Sequence, residues 1–144
     1  MPLSCLDERN WKIQAFDLND EEWLQLKTRN RKFGGLRMPC CDAEVVLKQS
    51  KLGTRFFAHR RGACLTSKEG EEHRQLKLIA VDVARDCGWE AHTEVPGIAP
   101  SGEKWIADVL ATKGSVRIAI EVQWSAQTSA ETLRRQKLYM ESGV

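Results

Sequence analysis

Two carboxylates inside apolar, strand-like segments are the residues of this sequence best suited to chemistry. Asp108 interrupts an apolar run, and Glu121 lies between Ile120 and Val122. A charged group buried in a strand costs several kcal/mol unless it is paired with an opposite charge or binds a metal. The two acids therefore need partners, and the nature of those partners is the main question that the sequence raises.

The segments that carry these acids predict a β-hairpin. Residues 105–110 and 116–124 are rich in β-branched and apolar side chains, and the turn-forming stretch 112–115 separates them. Gln123 follows Glu121 by two positions, so a strand places both side chains on one face of the sheet. Hard oxygen ligands of this kind suit Mg²⁺ or Mn²⁺, which can activate water and offset the charge of a phosphodiester.

The alternative to a metal site is an internal ion pair. Lys104 and Arg117 are candidate partners, and each lies four residues from the acid on its own strand. Because carboxylates within apolar strands are uncommon without a specific role, we favour the metal site over the ion pair.

A long helix precedes these strands in the sequence. The helical pattern follows Thr66 or Ser67 and continues to about Cys87, where Gly88 provides a stop signal. One face of this helix is an apolar stripe made of Leu76, Ile79, Ala80, Val83 and Cys87. The opposite face, which is expected to be solvated, carries Glu71, Arg74, Lys77, Asp82 and Arg85.

Glu72 lies at the N-terminal end of the apolar stripe. If the stripe packs on the sheet, Glu72 points toward the two strand carboxylates and becomes a third acid of the same site. The alternative is an ordinary acid in the first helical turn, where the helix dipole favours negative charge.

The first part of the chain predicts a helix followed by a basic loop. The helix is expected over 21–27, with Asn19 or Asp20 as its cap and acids in its first turn. The loop at 29–35 is expected to be a solvated turn, with contact to a phosphate backbone as the alternative. Residues 12–18 alternate loosely and are compatible with a strand.

A cysteine-containing turn precedes a predicted antiparallel pair of strands at 44–48 and 55–59. The side chains here that are able to bind zinc are Cys40, Cys41, His59 and Cys64. Adjacent cysteines do not readily form the C-x-x-C pair typical of structural zinc. The alternative is therefore a small reduced β unit without metal, packed by apolar side chains.

The last part of the chain predicts a strand over 89–95, a loop over 96–102, and a helix over 129–140 capped by Ser129. The basic surface of this helix offers candidate contacts to nucleic acid, namely Arg134, Arg135 and Lys137. No closing strand follows the helix, so we expect the domain that contains it to be truncated at its C-terminus.

Composition sets limits on the class of protein. The chain has 144 residues and a formal net charge of +2, which permits nucleic acid as a partner without requiring it. No apolar run approaches the roughly 20 residues of a membrane helix, and no signal peptide is recognisable. Five irregularly spaced cysteines favour reduced thiols, so we expect a cytoplasmic protein with no membrane association.

The order helix, three strands, helix, with an Asp followed by a Glu-x-Gln, resembles the PD-(D/E)XK nuclease superfamily. More closely, the chain is similar to the competence protein CoiA-like family over about residues 38–143. The matching pieces are Pro39-Cys40-Cys41, Phe57-Ala58-His59, Glu72-His73 with Lys77, Ala107-Asp108-Val109-Leu110, Ala119-Ile120-Glu121-Val122-Gln123-Trp124-Ser125, and Arg135 with Tyr139.

The resemblance implies an α/β (α+β) protein with a restriction-endonuclease-like αβββα core at 66–144 and a small β-rich, zinc-ribbon-like unit at 1–65. It implies a metal-dependent deoxyribonuclease with a role in DNA uptake, recombination or repair. The roles it implies for individual residues are metal ligation by Asp108 and Glu121, an auxiliary acid at Glu72, the usual lysine position at Gln123, and auxiliary functions for His73 or Lys77.

The chain departs from the family pattern at positions that bear on the predicted zinc site and on the predicted Mg²⁺ or Mn²⁺ site. Met38 stands at the first cysteine of the family's Cys-Pro-x-Cys knuckle, and Phe56 stands at the first histidine of its His-Phe-Ala-His segment. Both losses disfavour zinc, so Mg²⁺ or Mn²⁺ is the expected cofactor and DNA the expected partner. Because Gln123 replaces a lysine, the alternative is a catalytically inactive DNA-binding or protein-interaction module on the same fold.

Overall fold

A computed structural model of the chain describes residues 2–60, 70–123 and 126–144. Predictions that fall on Cys64, on the helix start at Thr66 or Ser67, and on Trp124 and Ser125 lie outside the described residues. The chain divides into two compact units, Met1–Arg74 and Gln75–Val144. The sequence-predicted boundary lies at 65/66, before the second helix, whereas the structural one falls inside that helix.

The first unit contains two small antiparallel sheets and one helix. Its elements are β1 (Ser4–Leu6), β2 (Lys12–Gln14), α1 (Asp20–Phe33), β3 (Val45–Gln49) and β4 (Arg55–His59). Strand β1 pairs with β2 and β3 pairs with β4. The predicted strand pair around Gly53 is thus confirmed. The core of this unit includes Trp23 and Phe57, whose ring centroids are 5.6 Å apart.

Helix α1 is longer than the sequence predicts. Asn19 caps it through a capping box with Glu22, as expected from the sequence, but the helix continues to Phe33 and ends at Gly34 with φ 73°. The prediction of a loop beginning at residue 29 is therefore wrong. The polar run remains helical because Asn30 is buried, where its amide donates to the carbonyl of Val45 at 2.8 Å.

The second unit is a three-stranded antiparallel sheet with helices before and after it in the chain. Its elements are the greater part of α2 (Glu71–Asp86), then β5 (Glu90–Ile98), β6 (Lys104–Lys113), β7 (Val116–Ile120) and α3 (Ser129–Glu141). The strand order is β5-β6-β7, which confirms the predicted hairpin. The protein is therefore of mixed α+β class, with small antiparallel sheets and three helices among the described residues.

Three ends in this unit differ from the prediction, and one of them is the end of β7, which stops at Ile120 although we expected the strand to reach residue 124. Strand β5 continues through Pro96 and Gly97, which we expected in a loop, because β5 lies at the sheet edge, where a missing N–H is tolerated. Gly97 faces Trp105 in the register, and a Cβ there would overlap the indole ring. Thr128 caps α3, one residue before the predicted Ser129.

The prediction for the two faces of α2 is wrong. Lys77 is 0% exposed, whereas Ile79 and Val83 of the apolar stripe are 56% and 57% exposed. Periodicity locates an apolar stripe but does not reveal partners for charges on the opposite face. The carboxylate of Glu94 pairs with Lys77 and Arg85 donates to the carbonyl of Ala91, so the charged face is the one that meets β5.

None of the helices in the described residues combines the length and the apolar character that crossing a membrane requires.

Candidate active site

The pairing of β6 with β7 brings the two strand carboxylates together. Val109 pairs with Ile120, so the next position of the same register sets Asp108 opposite Glu121, just beyond the end of β7. Asp108 Oδ2 accepts a hydrogen bond from the backbone N–H of Val122 at 3.0 Å. The structure thus places both acids at one point of the sheet, as the sequence predicts.

Helix α3 supplies the partners of Glu121. The hydroxyl of Tyr139 donates to Glu121 Oε1, and the Arg135 guanidinium forms an ion pair with Oε2. Arg135 also donates to the Tyr139 hydroxyl and to the carbonyl of Ile106, each at 3.1 Å. Arg135 and Tyr139 reach the same carboxylate because residues four apart share one face of a helix.

The Tyr139 ring is fixed by a second aromatic residue. It meets the Trp105 ring edge-on, with centroids 5.1 Å apart and an interplanar angle of 77°. The Trp105 indole N–H donates to Ser142 Oγ at 2.8 Å. These contacts hold α3 against β6 and so fix the hydroxyl that meets Glu121.

The electrostatic setting of Glu121 raises the pKa of its carboxyl. Burial is the main cause and the charge of Asp108 acts in the same direction, whereas the Tyr139 hydrogen bond and the Arg135 charge lower that pKa. Burial, together with the hydrogen bond to Glu121, raises the pKa of Tyr139, which keeps its hydroxyl protonated and able to donate. Two neighbouring carboxylates with an unfavourable mutual charge are the kind of oxygen ligand set that a divalent cation stabilises.

A cavity of about 530 Å³ opens beside these side chains. Its lining includes Glu121, Gln123 and Arg135, together with Tyr139 and the polar side chain of Gln136. Gln123 lies beyond the end of β7, so the strand argument does not apply to it directly, yet it lines the same cavity as Glu121. The cavity wall therefore combines the Glu121 carboxylate with amides, guanidinium groups and a phenol, while Asp108 lies opposite Glu121 in the strand register.

The other predicted site residues belong to α2. Glu72 and His73 belong to the first turn of α2, in the first unit, and Glu72 is exposed. Lys77 is buried against Glu94. A role for Glu72 as a third acid of the site stays a prediction.

Glu94 is a carboxylate of this region that sequence reasoning missed. Thr93 pairs with Val109 and Val95 with Ala107, so Glu94 occupies the register position opposite Asp108. Three acids, one from each strand or its end, thus share one line across the sheet. Nothing in the sequence singles out Glu94, because the register of β5 depends on a pairing across a loop.

The setting of Glu94 is unusual for a strand. Its φ is 46°, a left-handed value that costs a non-glycine residue about 1–3 kcal/mol. Its Oε1 meets the fully buried Lys77 ammonium, and its Oε2 accepts from the Thr93 hydroxyl at 2.7 Å. The bonds to both oxygens offset the cost of burying the charge.

The predicted nucleic-acid contacts on α3 divide into two kinds. Arg134 pairs with Glu131 and Glu103, and Lys137 lies 3.7 Å from Glu141. Their charges are thus partly offset at the surface. Arg135 is instead part of the carboxylate site, and contact of any of the three with DNA stays a prediction.

The first unit contains a separate group of potential metal ligands. Cys41 Sγ lies 3.1 Å from His59 Nε2, and Cys40 Sγ lies 3.9 Å from the same nitrogen and 3.6 Å from Cys41 Sγ. The turn that carries the cysteines includes Asp42 with φ 61°. Adjacent thiols therefore converge on one histidine, an arrangement that the sequence argument disfavoured, because that argument considered spacing without the turn.

Comparisons of the chain with protein-family models, with curated proteins and with solved structures each gave no match. The family resemblance seen in the sequence motifs therefore stays a prediction. The function proposed below depends on those motifs and on the geometry of the side chains.

Proposed function

We propose that the protein is a divalent-metal-dependent nuclease that hydrolyses phosphodiester bonds of DNA. The observation that carries the proposal is the placement of Asp108 of β6 opposite Glu121, which follows the end of β7 and lines an open cavity. The order α2, three antiparallel strands and α3 supports a restriction-endonuclease-like core. The sequence motifs shared with the CoiA-like family point to the same chemistry.

Asp108 and Glu121 would hold Mg²⁺ or Mn²⁺, which lowers the pKa of water and offsets negative charge on a phosphate when bound. Gln123 offers an amide N–H to a phosphate oxygen from the wall of the same cavity. In the reaction, the oxygen of water bonds to phosphorus, the bond from phosphorus to the leaving sugar oxygen breaks, and a proton from water ends on that oxygen.

The direct test is cleavage of single-stranded, duplex and branched DNA with Mg²⁺ or Mn²⁺. Asp108→Asn removes the charge but keeps an oxygen able to accept from the Val122 N–H, so folding is preserved. We expect cleavage to fall at least about 100-fold, the effect of losing one group that stabilises the transition state. Asp82→Asn on the exposed part of α2 is the matched control and should cleave normally. Full activity of Asp108→Asn would refute the proposal.

The alternative is a DNA-binding or interaction module without catalysis. It is favoured by the contacts of Arg135 and Tyr139 with Glu121, because a carboxylate already satisfied by the protein has less need of a metal. Calorimetric titration with Mn²⁺ separates the two functions. Heat of binding that disappears in Asp108→Asn supports the nuclease, and the absence of any binding by the wild-type protein supports the inactive module.

A second metal centre is proposed for the first unit. Potential ligand atoms of Cys40, Cys41 and His59 all lie within 4.8 Å of one another, a separation that a single ion can bridge. Two sulfurs and one imidazole nitrogen suit Zn²⁺. Metal analysis of the purified protein should find zinc that Cys41→Ser loses and Cys87→Ser, at another exposed free cysteine, retains. Protein purified without chelators that contains no zinc would exclude this centre.

A further inference from the structure

We infer that Arg135 is the substrate-binding cation of the carboxylate site, which contacts a phosphate oxygen of DNA once Glu121 engages a divalent metal. The inference rests on the proposed nuclease function and adds to it a residue and an order of events. The Arg135 guanidinium lies against Glu121 Oε2, on the side of the carboxylate that a cation would share.

The position of Arg135 is fixed by three acceptors around its Nη2 atom. Its guanidinium meets Glu121 Oε2, the Tyr139 hydroxyl and the carbonyl of Ile106, yet 33% of its side chain stays exposed and it lines the cavity that also contains Gln123. A cation that is both anchored and accessible loses little conformational entropy when it binds a second anion.

Glu121 cannot satisfy Arg135, Tyr139 and a metal with the same lone pairs. Arg135 holds Oε2 and Tyr139 holds Oε1, so metal ligation weakens at least one of these contacts. The N–H groups that Arg135 then frees lie at the cavity. The planar guanidinium fork matches two phosphate oxygens, which is why arginine suits this recognition better than a point charge does.

Arg117 and Arg135 both line the cavity; Arg117 donates to the carbonyl of Ser142 at 3.3 Å, whereas Arg135 pairs with Glu121. Gln123 is neutral, and the charge that develops on a phosphate during cleavage requires a positive partner besides the metal. The neighbouring Arg134 and Lys137 are exposed and pair with carboxylates of their own. Arg135 differs from them because it reaches the carboxylate site itself.

The test compares Arg135→Gln with the wild-type protein in two assays. We expect kcat for Mn²⁺-dependent cleavage to fall about 100-fold, since a charge that stabilises the transition state is lost. We expect Mn²⁺ affinity measured by calorimetry to rise about fivefold, because a partly exposed ion pair no longer competes for Glu121. A residue that only supports the fold would lower both quantities together.

A second substitution provides a rescue. In Gln123→Lys/Arg135→Gln, a lysine on the wall of the same cavity restores the positive charge, and cleavage should recover at least tenfold relative to Arg135→Gln. Lys27→Gln, which removes an exposed cation of α1 outside the proposed sites, is the control and should leave kcat and Mn²⁺ affinity unchanged. If Arg135→Gln does not fold, Arg135→Lys tests the role of Arg135 instead. We expect this variant to lose about tenfold in kcat and to keep its Mn²⁺ affinity.

The inference is overturned if Arg135→Gln cleaves at the wild-type rate, if its Mn²⁺ affinity falls in step with cleavage, or if the lysine at position 123 brings no recovery. Inactivity of Arg135→Lys to the level of Asp108→Asn would overturn it as well. Absence of cleavage by the wild-type protein removes the proposed nuclease and this inference together. If the wild-type protein cleaves DNA, Asp108→Asn abolishes cleavage and Arg135→Gln retains it, the role of Arg135 is refuted. The proposed nuclease function then still stands.

Discussion

Glu94 and Glu121 flank Asp108 on the same line of the sheet, and the structure treats them in opposite ways. Glu121 meets an arginine and a phenol from α3 and lines an open cavity. Glu94 meets a fully buried lysine of α2, and a threonine holds its second oxygen. The comparison shows that a locked carboxylate can join two elements, whereas the carboxylate of Glu121 stays at the wall of a cavity where a ligand can reach it.

The largest effect should come from breaking the locked pair. Lys77→Met leaves the Glu94 charge buried without its cation, which should lower the free energy of unfolding by about 3–5 kcal/mol. Glu121→Gln, at the accessible position, should lower it by less than about 1 kcal/mol. Urea denaturation followed by circular dichroism measures both. Equal losses in the two variants would contradict the contrast between a locked and an accessible acid.

Removing both charges of the locked pair should restore folding and show whether that pair takes part in cleavage. A buried ion pair replaced by uncharged side chains of similar volume is often neutral for stability, so Lys77→Met/Glu94→Gln should fold. We expect this variant to cleave DNA within about tenfold of the wild-type rate, whereas Glu121→Gln should lose about 100-fold or more. Comparable losses in the two variants would assign Glu94 to the active site.

The smallest effect concerns the backbone of Glu94. In a Lys77→Met background, Glu94→Gly should be more stable than Glu94→Ala by about 1 kcal/mol, because only glycine adopts a left-handed φ without strain. Both variants lack the carboxylate, so their difference in urea denaturation isolates the strain at this position. Greater stability of the alanine variant would show that the strand relaxes when the side chain is removed.

The sequence was sufficient for those features that depend on local pattern. The strands around Asp108 and Glu121 alternate and enclose a turn, and this is why their pairing and the opposed positions of the two acids were predictable. The helix over 129–140 followed from periodicity in the same way. The assignment of Arg135 to an exposed basic surface neglected its spacing from Tyr139, which in the structure brings both side chains to Glu121.

Features that depend on pairing between distant segments were not predictable. The buried position of Lys77 follows from Glu94, and the position of Glu94 follows from the register between β5 and β6. Neither the burial of Lys77 nor the register position of Glu94 can be inferred from the residues next to it in the sequence. The stripe of α2 that contains Ile79 is apolar and exposed, so hydrophobic periodicity alone gave the wrong face.

The edge-on contact between Trp105 and Tyr139 gives the protein an internal optical reporter. The Tyr139 hydroxyl bonds to Glu121, and its ring lies 5.1 Å from the Trp105 indole. A ligand that draws Glu121 away from Tyr139 therefore alters the surroundings of an emitting indole. Subtracting the fluorescence of a Trp105→Phe variant isolates that emission from the emission of the other tryptophans, so occupancy of the carboxylate site becomes observable without any added dye.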